Sequence, residues 1–354
     1  MKNLQKYLAL LGGDIDAILV TSPANRYYCT EGDVSEGMAL VTLNGCFYFT
    51  DSRYMEAAQN SIQGFAVTMV DRENPYTKCL ADKLSERNIK TLGYEEGNMT
   101  VSEFRAFEEK LKVRFVPVQK KLDSLRGVKE PWELERMIKA QEITDLAFTQ
   151  ILSRIKPGMT EKQLQAELIY CLYKNGADGL SFDPIVVSGP NTSLPHGEAT
   201  DRIIREGDFV TMDFGVVRNG YCSDMTRTVA VGFVTEEMRK VYDTVLQAQL
   251  AGIGATKAGV KGSYVDAAAR QVIEAAGYGK YFGHGYGHGI GLQVHEWPIC
   301  NPSGDTVMEE NMVSSAEPGI YLPGKFGVRI EDVVVFKADG CVNLTKSPKE
   351  LIII

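Results

Sequence analysis

Histidine is scarce in this chain, with four among 354 residues. The seven cysteines are scattered and form no C-x-x-C pair. A disulfide framework is therefore not expected, and reduced thiols in a cytoplasmic protein fit the sequence better. No apolar run approaches the roughly 20 residues of a membrane-spanning helix.

Positive charge is also in deficit. The 46 acidic and 38 basic residues leave a net charge of -8, and no Lys/Arg cluster with interleaved aromatics offsets it. This balance argues against nucleic acid or an anionic membrane as a partner. With 44% hydrophobic and 24% charged residues, the chain is typical of a globular protein. Its length suggests about two domains of roughly 150 residues each.

The first part of the chain alternates strand and helix patterns. Asn44-Gly45 lies between two apolar runs and predicts a hairpin. Thr100 and Glu103 have the spacing of a capping box at a helix start. The first 20 residues read as an amphipathic helix leading into a strand, not as a signal peptide. Together these patterns predict a small α/β unit.

A change in composition marks the end of this α/β unit. The segment "KKLDSLRGVKEPWELER" is charged, contains Gly127 and Pro131, and precedes a long helix predicted over Pro131–Ile155. The sequence therefore predicts an N-terminal domain of residues 1–124 and a C-terminal domain of residues 125–354.

The C-terminal part contains an apparent internal repeat. The blocks "IKPGMTEKQLQAELIYCLYKNGA" and "TKAGVKGSYVDAAARQVIEAAGY" align at one offset, which pairs Gly158 with Gly259 and Gly176 with Gly277. Alanine and glycine are common, so chance is the alternative. The shared order of turn, helix and terminal glycine favours a two-fold repeat, with a working site on the seam between its halves.

Acidic residues occur in pairs on two predicted hairpins. In "DFGVVRNGYCSDMTRT", a two-residue turn at Asn219-Gly220 puts Asp213 opposite Thr226 and on the same face as Asp224. Two carboxylates this close repel each other unless a cation lies between them. Taken alone, the pair is equally well explained as two solvated acids.

A second hairpin repeats the arrangement. In "AEPGIYLPGKFGVRIED", a fold about Pro323-Gly324 brings Glu317 opposite Glu331. Two acid pairs, one in each half, favour a metal site over solvated acids. Two Asp, two Glu and one histidine form a hard ligand set suited to two divalent cations such as Mn, Fe, Co or Zn. Four carboxylates would balance the charge of the two ions.

Three of the four histidines fall in the segment "GHGYGHGIGLQVHE", as His284, His288 and His295, and the fourth is His196 in "LPHGEATDR". A lone histidine is more often a core or surface residue than a catalyst. Here all four adjoin Gly- or Pro-rich sequence, where the backbone can approach a metal or substrate closely. The alternation in "IGLQVHE" predicts a strand that carries His295 toward the site.

These segments together resemble the signature segments of the pita-bread metallopeptidases, and in particular the Xaa-Pro peptidases aminopeptidase P and proline dipeptidase. The segments "TSPANRYYCTEG", "TDSRYMEAA" and "RGVKEPWELERM" are similar to the creatinase-like N-terminal domain and linker of that family. The resemblance covers essentially the whole chain. It implies a small creatinase-like α/β domain followed by a pita-bread α+β domain with an internal pseudo-two-fold repeat.

The resemblance also implies a metal centre. Carried over by position, Asp213 would bind one ion, Asp224 and Glu331 would bridge two, and His288 and Glu317 would bind the second. Manganese is the expected metal, with Co, Fe or Zn as alternatives.

Further roles follow from the same resemblance. Glu317 would also shuttle the proton of a metal-bridging water or hydroxide, and His196 and His295 would contact the scissile peptide. His284 and Arg329 would line the substrate pocket. The expected substrate is a peptide with proline in second position, and the expected assembly is a homodimer. Two departures affect pocket details: Gln293 replaces a common Glu, and "VSSAEPG" is unusually polar.

Three alternatives remain for comparison. A methionine aminopeptidase-like enzyme would use the same ligands, but the extra N-terminal domain argues against it. A creatinase-like hydrolase would act without metal, and a non-catalytic peptide-binding relative would lack ligands, yet all five are present. The sequence does not separate a dipeptidase from an aminopeptidase.

Overall fold

The computed structural model describes residues 2–354 and divides the chain into two compact units, one ending at Arg126 and the other comprising Gly127–Ile354. The boundary predicted after residue 124 lies two residues before this division. Within residues 2–354, no helix is both long and apolar enough to cross a lipid bilayer.

The first unit is built around a mixed sheet with helices in the connections. The helices are α1 (Lys2–Leu8), α2 (Pro23–Thr30), α3 (Met55–Ser61), α4 (Tyr76–Glu86), α5 (Val101–Lys110) and α6 (Gln119–Leu125), and the strands are β1 (Ala17–Val20), β2 (Met38–Thr42), β3 (Cys46–Asp51), β4 (Phe65–Val70), β5 (Thr91–Tyr94) and β6 (Arg114–Pro117). The strand order is β4-β3-β2-β1-β5-β6. The pairs β1/β5, β5/β6 and β3/β4 are parallel, and β2 is antiparallel to both neighbours.

Local sequence patterns account for several of these elements. The predicted hairpin is present, since β2 and β3 pair with Leu40 opposite Phe47 around the turn at Asn44-Gly45. The predicted capping box is present at the start of α5, where the Glu103 backbone N–H donates to Thr100 Oγ1 over 3.2 Å and the Thr100 N–H donates to the Glu103 carboxylate over 2.8 Å. These contacts satisfy donors that a helix start leaves unpaired.

The second unit contains four long helices and several small sheets. Its helices are α7 (Pro131–Leu152), α8 (Glu161–Lys174), α9 (Glu236–Ala255) and α10 (Gly262–Ala275), with 3₁₀ turns at Gly189–Ser193 and Gly279–Tyr281; its strands are β7 (Gly179–Leu180), β8 (Ile185–Ser188), β9 (Phe209–Phe214), β10 (Val216–Arg218), β11 (Tyr221–Cys222), β12 (Met225–Ala230), β13 (Gly287–Gly289), β14 (Glu296–Cys300), β15 (Val313–Ala316), β16 (Gly319–Leu322), β17 (Phe326–Arg329), β18 (Asp332–Lys337) and β19 (Gly340–Asn343).

The internal repeat predicted from the sequence is visible in this unit. Helices α7 and α8 precede the sheet β12-β9-β8, and helices α9 and α10 precede the sheet β14-β13-β15-β18-β19. Gly158 and Gly259 have φ of +94° and +84°, and Gly176 and Gly277 have +100° and +86°. Glycine therefore occupies a left-handed position before and after the second helix of each half, where other residues are strained.

Two apolar clusters lie between the helices and sheets of this unit. One includes Phe148, Leu168 and Met212, and the other includes Val245 and Val334, all of them fully or almost fully buried. The strands that carry the acidic residues are thus held against helices on one side, which leaves their other face for the site.

One predicted strand is wrong. The segment Ile290–His295 is not a strand, and β14 begins only at Glu296. The ladder between β13 and β14 shifts register after His288. The Gly291 carbonyl accepts from the Cys222 N–H at 2.7 Å and its N–H donates to the Gln293 carbonyl at 3.0 Å. Because these bonds replace ladder pairing, His295 lies on a loop.

Candidate active site

The first acid pair lies where the hairpin register predicted. Strands β9 and β12 pair with Asp213 opposite Thr226. The connecting turn has positive φ at both Asn219 (+50°) and Gly220 (+80°), as a type I′ turn requires. Asp224 directly precedes β12, so one short turn places both carboxylates at the same cavity.

The second pair follows the same logic. Ala316 pairs with Asp332 between β15 and β18, and Gly319 pairs with Arg329 between β16 and β17. Glu317 and Glu331 lie between these two paired positions, in the predicted opposing register. The Glu331 N–H also donates to the Thr226 carbonyl at 3.1 Å, which joins the second half of the unit to the first.

One cavity of about 850 Å³ collects every side chain that the sequence nominated. The nine residues come from strands β9, β13 and β17 and from six loops or turns of the second unit. They are His196, Asp213, Asp224, His284, His288, His295, Glu317, Arg329 and Glu331. Their individual roles remain predictions.

Three carboxylate oxygens in this cavity have no hydrogen-bond partner among the described residues. Asp213 Oδ1, Asp224 Oδ1 and Glu331 Oε1 are all buried. An unsatisfied buried oxygen costs about 1–3 kcal/mol, and more when charged. Desolvation, followed by the charge of nearby Asp213, raises the pKa of Asp224 well above its ordinary value. Desolvation and the charge of Asp224 do the same for Glu331.

A divalent cation is what such a cluster fits. One ligand atom each from Asp224, His288 and Glu331 lie within 4.8 Å of one another. The donors are carboxylate oxygens and an imidazole nitrogen, which suit Mn, Fe, Co or Zn. A cation at this place would give the unsatisfied oxygens a partner, and its positive charge would lower the raised carboxylate pKa values.

His288 lies between two of the acids. Its Nε2 is 3.2 Å from Glu317 Oε1 and 3.7 Å from Asp224 Oδ2. Its Nδ1 lies 3.1 Å from the Gly289 carbonyl, which orients the ring. Burial lowers the pKa of His288, but the hydrogen bond and charge of Glu317 outweigh it and raise that pKa to about 9. Burial alone would raise the pKa of Glu317. The hydrogen bond and the charge of His288 outweigh burial and lower that pKa to about 2.

Arg329 is buried and heavily bonded. Its Nη2 donates to Asp213 Oδ2 at 2.6 Å, and its Nε donates to Thr226 Oγ1 at 2.9 Å. Its Nη1 donates to Tyr321 Oη at 2.8 Å and to the Pro195 carbonyl at 3.2 Å. Arg329 therefore ties the first acid pair to the turn that carries His196.

His284 is held by its neighbours on the cavity wall. Its Nε2 lies 2.9 Å from Tyr321 Oη, and its Nδ1 lies 2.8 Å from the Gly285 carbonyl. The Arg270 guanidinium, held by Asp266, donates to the His284 carbonyl at 2.8 Å. Burial lowers the pKa of His284, so its neutral form is favoured.

His196 and His295 are exposed on loops at the rim of the cavity. The His295 ring centroid is 4.2 Å from that of His288. Desolvation and the charge of His288 lower the pKa of His295. Both rings are therefore available to a molecule that enters the cavity.

Three supporting residues were not nominated from the sequence. Tyr321 joins Arg329 to His284, Thr226 Oγ1 donates to Glu331 Oε2 at 2.7 Å, and Ser315 Oγ donates to Glu317 Oε1 at 3.1 Å. Thr226 could have been found because the hairpin register placed it opposite Asp213. Ser315 belongs to the unusually polar "VSSAEPG" segment, whose polarity predicts a change in the pocket but does not single out this residue. Tyr321 left no sequence signal of comparable strength.

Comparison with known proteins settles the family. Residues 135–338 match metallopeptidase family M24, and residues 1–128 match the creatinase/prolidase N-terminal domain. The chain belongs to metallopeptidase family M24. The resemblance read from the sequence motifs is confirmed, and with it the order of a creatinase-like α/β domain and a pita-bread domain.

Several relatives match this M24 peptidase over its full length. An Xaa-Pro dipeptidase from Pyrococcus furiosus is 37% identical over 96% of this chain and 95% of its own. A solved Xaa-Pro dipeptidase from Bacillus anthracis is 40% identical, covers 100% of this chain and 99% of its own, and superposes with a TM-score of 0.96. A solved X-Pro aminopeptidase from Thermotoga maritima is 37% identical over 99% of both chains, with a TM-score of 0.92.

Membership in this family makes the chain a hydrolase of the metallopeptidase class and implies divalent metal ions. The candidate cluster at Asp224, His288 and Glu331 agrees with that implication.

Proposed function

We propose that this M24 peptidase hydrolyses the peptide bond before proline in peptides whose second residue is proline. The observation that carries the proposal is the single cavity that unites four carboxylates, four histidines and one arginine. The full-length similarity to Xaa-Pro dipeptidases and to an X-Pro aminopeptidase supports the same substrate class.

The proposed cofactor is a pair of divalent ions, most suitably Mn²⁺, with Co, Fe or Zn as alternatives. Asp213, Asp224, His288, Glu317 and Glu331 would hold them, and the unsatisfied oxygens of three of these residues support the assignment. When bound, such ions lower the pKa of a bound water and polarise a carbonyl oxygen.

Glu317 is the proposed proton carrier. It would accept the proton of the attacking water and deliver it to the leaving nitrogen. Its carboxylate lines the cavity, and in the metal-free structure the hydrogen bond and charge of His288 keep it ionised, with a pKa of about 2. The Ser315 hydroxyl, which donates to Oε1, fixes the orientation of this carboxylate.

His295 and His196 are the proposed donors to the oxygen of the scissile peptide. A fixed N–H aimed at a developing oxyanion stabilises the transition state more than the ground state. The lowered pKa of His295 keeps its ring neutral at neutral pH, in the form with one N–H donor and one acceptor nitrogen.

His284 and Arg329 are the proposed pocket residues for the substrate. Proline needs a dedicated pocket because its nitrogen carries no N–H and its ring fixes φ, so the usual backbone recognition of an extended peptide fails. The Tyr321 hydroxyl bonds both residues and holds this side of the cavity in place.

Hydrolysis of Gly-Pro, Gly-Pro-Gly-Gly and Gly-Ala, measured after chelation and after adding back Mn, Co or Zn, tests the proposal. We expect metal-dependent cleavage of at least one proline peptide and about tenfold or more selectivity over Gly-Ala, which equals about 1.4 kcal/mol. The ratio between the first two substrates distinguishes a dipeptidase from an aminopeptidase. Cleavage of Met-Ala-Ser in preference to both would favour the methionine aminopeptidase alternative, and activity in the presence of chelator would favour the creatinase-like one.

The assembly and compartment are also proposals. We propose a homodimer in the cytoplasm. All seven cysteines are free thiols in the structure, which fits a reducing compartment. Sedimentation equilibrium that gives the mass of one chain at micromolar concentration would contradict the dimer.

A further inference from the structure

A buried ion pair lies beneath the loop that carries His295. Lys129 Nζ is 3.2 Å from Glu296 Oε2, and the two side chains are 1% and 2% exposed. The residues are 167 positions apart in the chain. A buried pair of this kind contributes little net stability because removing two charges from water costs about as much as their attraction returns. Its place beneath the His295 loop points to a role in positioning that loop.

Glu296 directly follows His295, and its two carboxylate oxygens contact the loop backbone and Lys129. Its Oε1 accepts from the Gln293 N–H at 3.0 Å, while Oε2 faces Lys129. A Cβ added at Gly291 would lie 2.7 Å from Glu296 Oε2 and 2.9 Å from Lys129 Nζ, so the start of the loop rests directly on the pair. The ion pair therefore fixes the backbone position of residues 291–295.

Lys129 is in turn anchored to the strand that leads to the acids. Its N–H donates to the Asn311 carbonyl at 3.0 Å, and the preceding residue Val128 forms a β-bridge with Met312. Met312 directly precedes β15, whose far end leads into Glu317. The ion pair thus links the His295 loop to the same strand that places a proposed metal ligand.

The His295 ring itself has little to hold it. Among residues 2–354 it makes no side-chain hydrogen bond, and its ring contact is with His288 at 4.2 Å between centroids. Its position over the cavity is therefore set by its backbone, which Glu296 fixes.

We propose that Lys129 and Glu296 are positioning residues that hold His295 over the scissile peptide. The inference rests on the proposed function, since it assigns a purpose to a pair of residues that do not line the cavity. A displacement of about 1 Å of a catalytic group can cost about 100-fold in rate. The pair therefore matters for turnover and not for metal binding.

The test is the double variant K129M/E296L, which removes both charges together and keeps the approximate volume. Replacement of a whole buried pair by apolar residues is often neutral for stability, whereas removal of one partner is not. We expect two metal ions bound and an unchanged thermal midpoint. The kcat for the proline peptide that the wild-type protein cleaves should fall about 10- to 100-fold, with a smaller change in KM.

The same double change in the His295→Ala background separates positioning from general damage. If the pair acts through His295, it has no further effect once the imidazole is absent. An unchanged kcat in K129M/E296L, or an equal loss in the His295→Ala background, would overturn the inference. Both results leave the proposed function intact, because that depends on whether the wild-type protein cleaves proline peptides.

A second variant covers the case in which the double variant does not fold. Gly291→Ala keeps both charges and presses a methyl group against them. It should lower kcat in the wild-type background and not in the His295→Ala background. Equal effects in both backgrounds would refute the positioning role.

Discussion

The floor and the rim of the cavity are built differently. The floor, defined as Asp213, Asp224, Glu317 and Glu331, lies on or directly beside paired strands of the two halves. The rim, defined as His196, His284 and His295, lies on loops without ladder pairing. Buried oxygens without a hydrogen-bond partner among residues 2–354 occur in the floor. In the rim, burial lowers the pKa of His284 and of His295, and His196 and His295 are exposed.

This difference separates two tasks. Strand register places floor residues with little freedom, because a one-residue slip would turn each side chain to the opposite face. Such rigidity suits a metal centre, whose ligands must keep fixed separations. Loop residues can change without disturbing the sheet, which suits selection among substrates. Substitutions in the floor should therefore remove bound metal, whereas substitutions in the rim should change turnover or substrate binding with the metal retained.

The largest effect is expected from Asp224→Asn in the floor. The change removes a charged ligand from the cluster with His288 and Glu331. Bound metal and activity should be lost together, with turnover reduced about 1,000-fold or more, since metal chemistry contributes several kcal/mol. Elemental analysis and the Gly-Pro assay measure both. Asp201→Asn, at a carboxylate that is 83% exposed, is the control and should change neither. Two bound ions with normal turnover in Asp224→Asn would contradict the metal centre.

His295→Ala in the rim should behave differently. Loss of one oxyanion donor costs about 100- to 1,000-fold in kcat. Both ions should remain bound, because His295 is exposed and is not one of the proposed metal ligands, although its ring contacts that of His288. Release of a metal ion, or unchanged turnover, would show that the loop has another role.

His284→Ala should give a smaller effect that appears in binding. Loss of its hydrogen-bonded ring should raise KM for the proline peptide about tenfold, equal to about 1.4 kcal/mol, with less change in kcat. Selectivity for Gly-Pro over Gly-Ala should fall as well. Tyr321→Phe removes the hydroxyl that bonds His284 Nε2 and should shift KM in the same direction. A loss confined to kcat in His284→Ala would place this residue with the catalytic groups.

The smallest effect concerns protons bound to the proposed metal ligands. The pKa of His288 is raised to about 9 in the metal-free fold, and those of Asp224 and Glu331 are raised well above their ordinary values. A raised pKa means that the protonated form stabilises the fold, and this stability is lost as pH rises through the folded pKa. The metal-free protein should therefore lose stability between about pH 6.5, the ordinary histidine pKa, and about pH 9.

Metal binding reverses that loss, because ligands must be deprotonated to bind. The difference in thermal midpoint between metal-loaded and chelated protein should widen from pH 6.5 to 9. Titration calorimetry in buffers of different ionisation enthalpy should detect release of about one proton or more per chain at pH 7.5. A difference that narrows with rising pH would contradict the assignment.

Much of the floor could be predicted from sequence because its determinants are local. The Asn219-Gly220 turn sets one register, and the Pro323-Gly324 region sets the other. Each register places an acid pair within about fifteen residues of chain, so no long-range information is needed. The capping box at Thr100 and the repeated glycines flanking α8 and α10 were predictable for the same reason.

The tertiary structure alone decided how these local pieces meet. The Ile290–His295 segment alternates like a strand, yet its backbone bonds to Cys222 and to itself, and so it forms a loop. The bonds of Arg329 to Pro195 and Asp213, and the pairing of Lys129 with Glu296, join positions more than 100 residues apart. Periodicity and turn chemistry describe only neighbours along the chain. Contacts of this range depend on how the folded sheets and helices pack, which a local pattern does not encode.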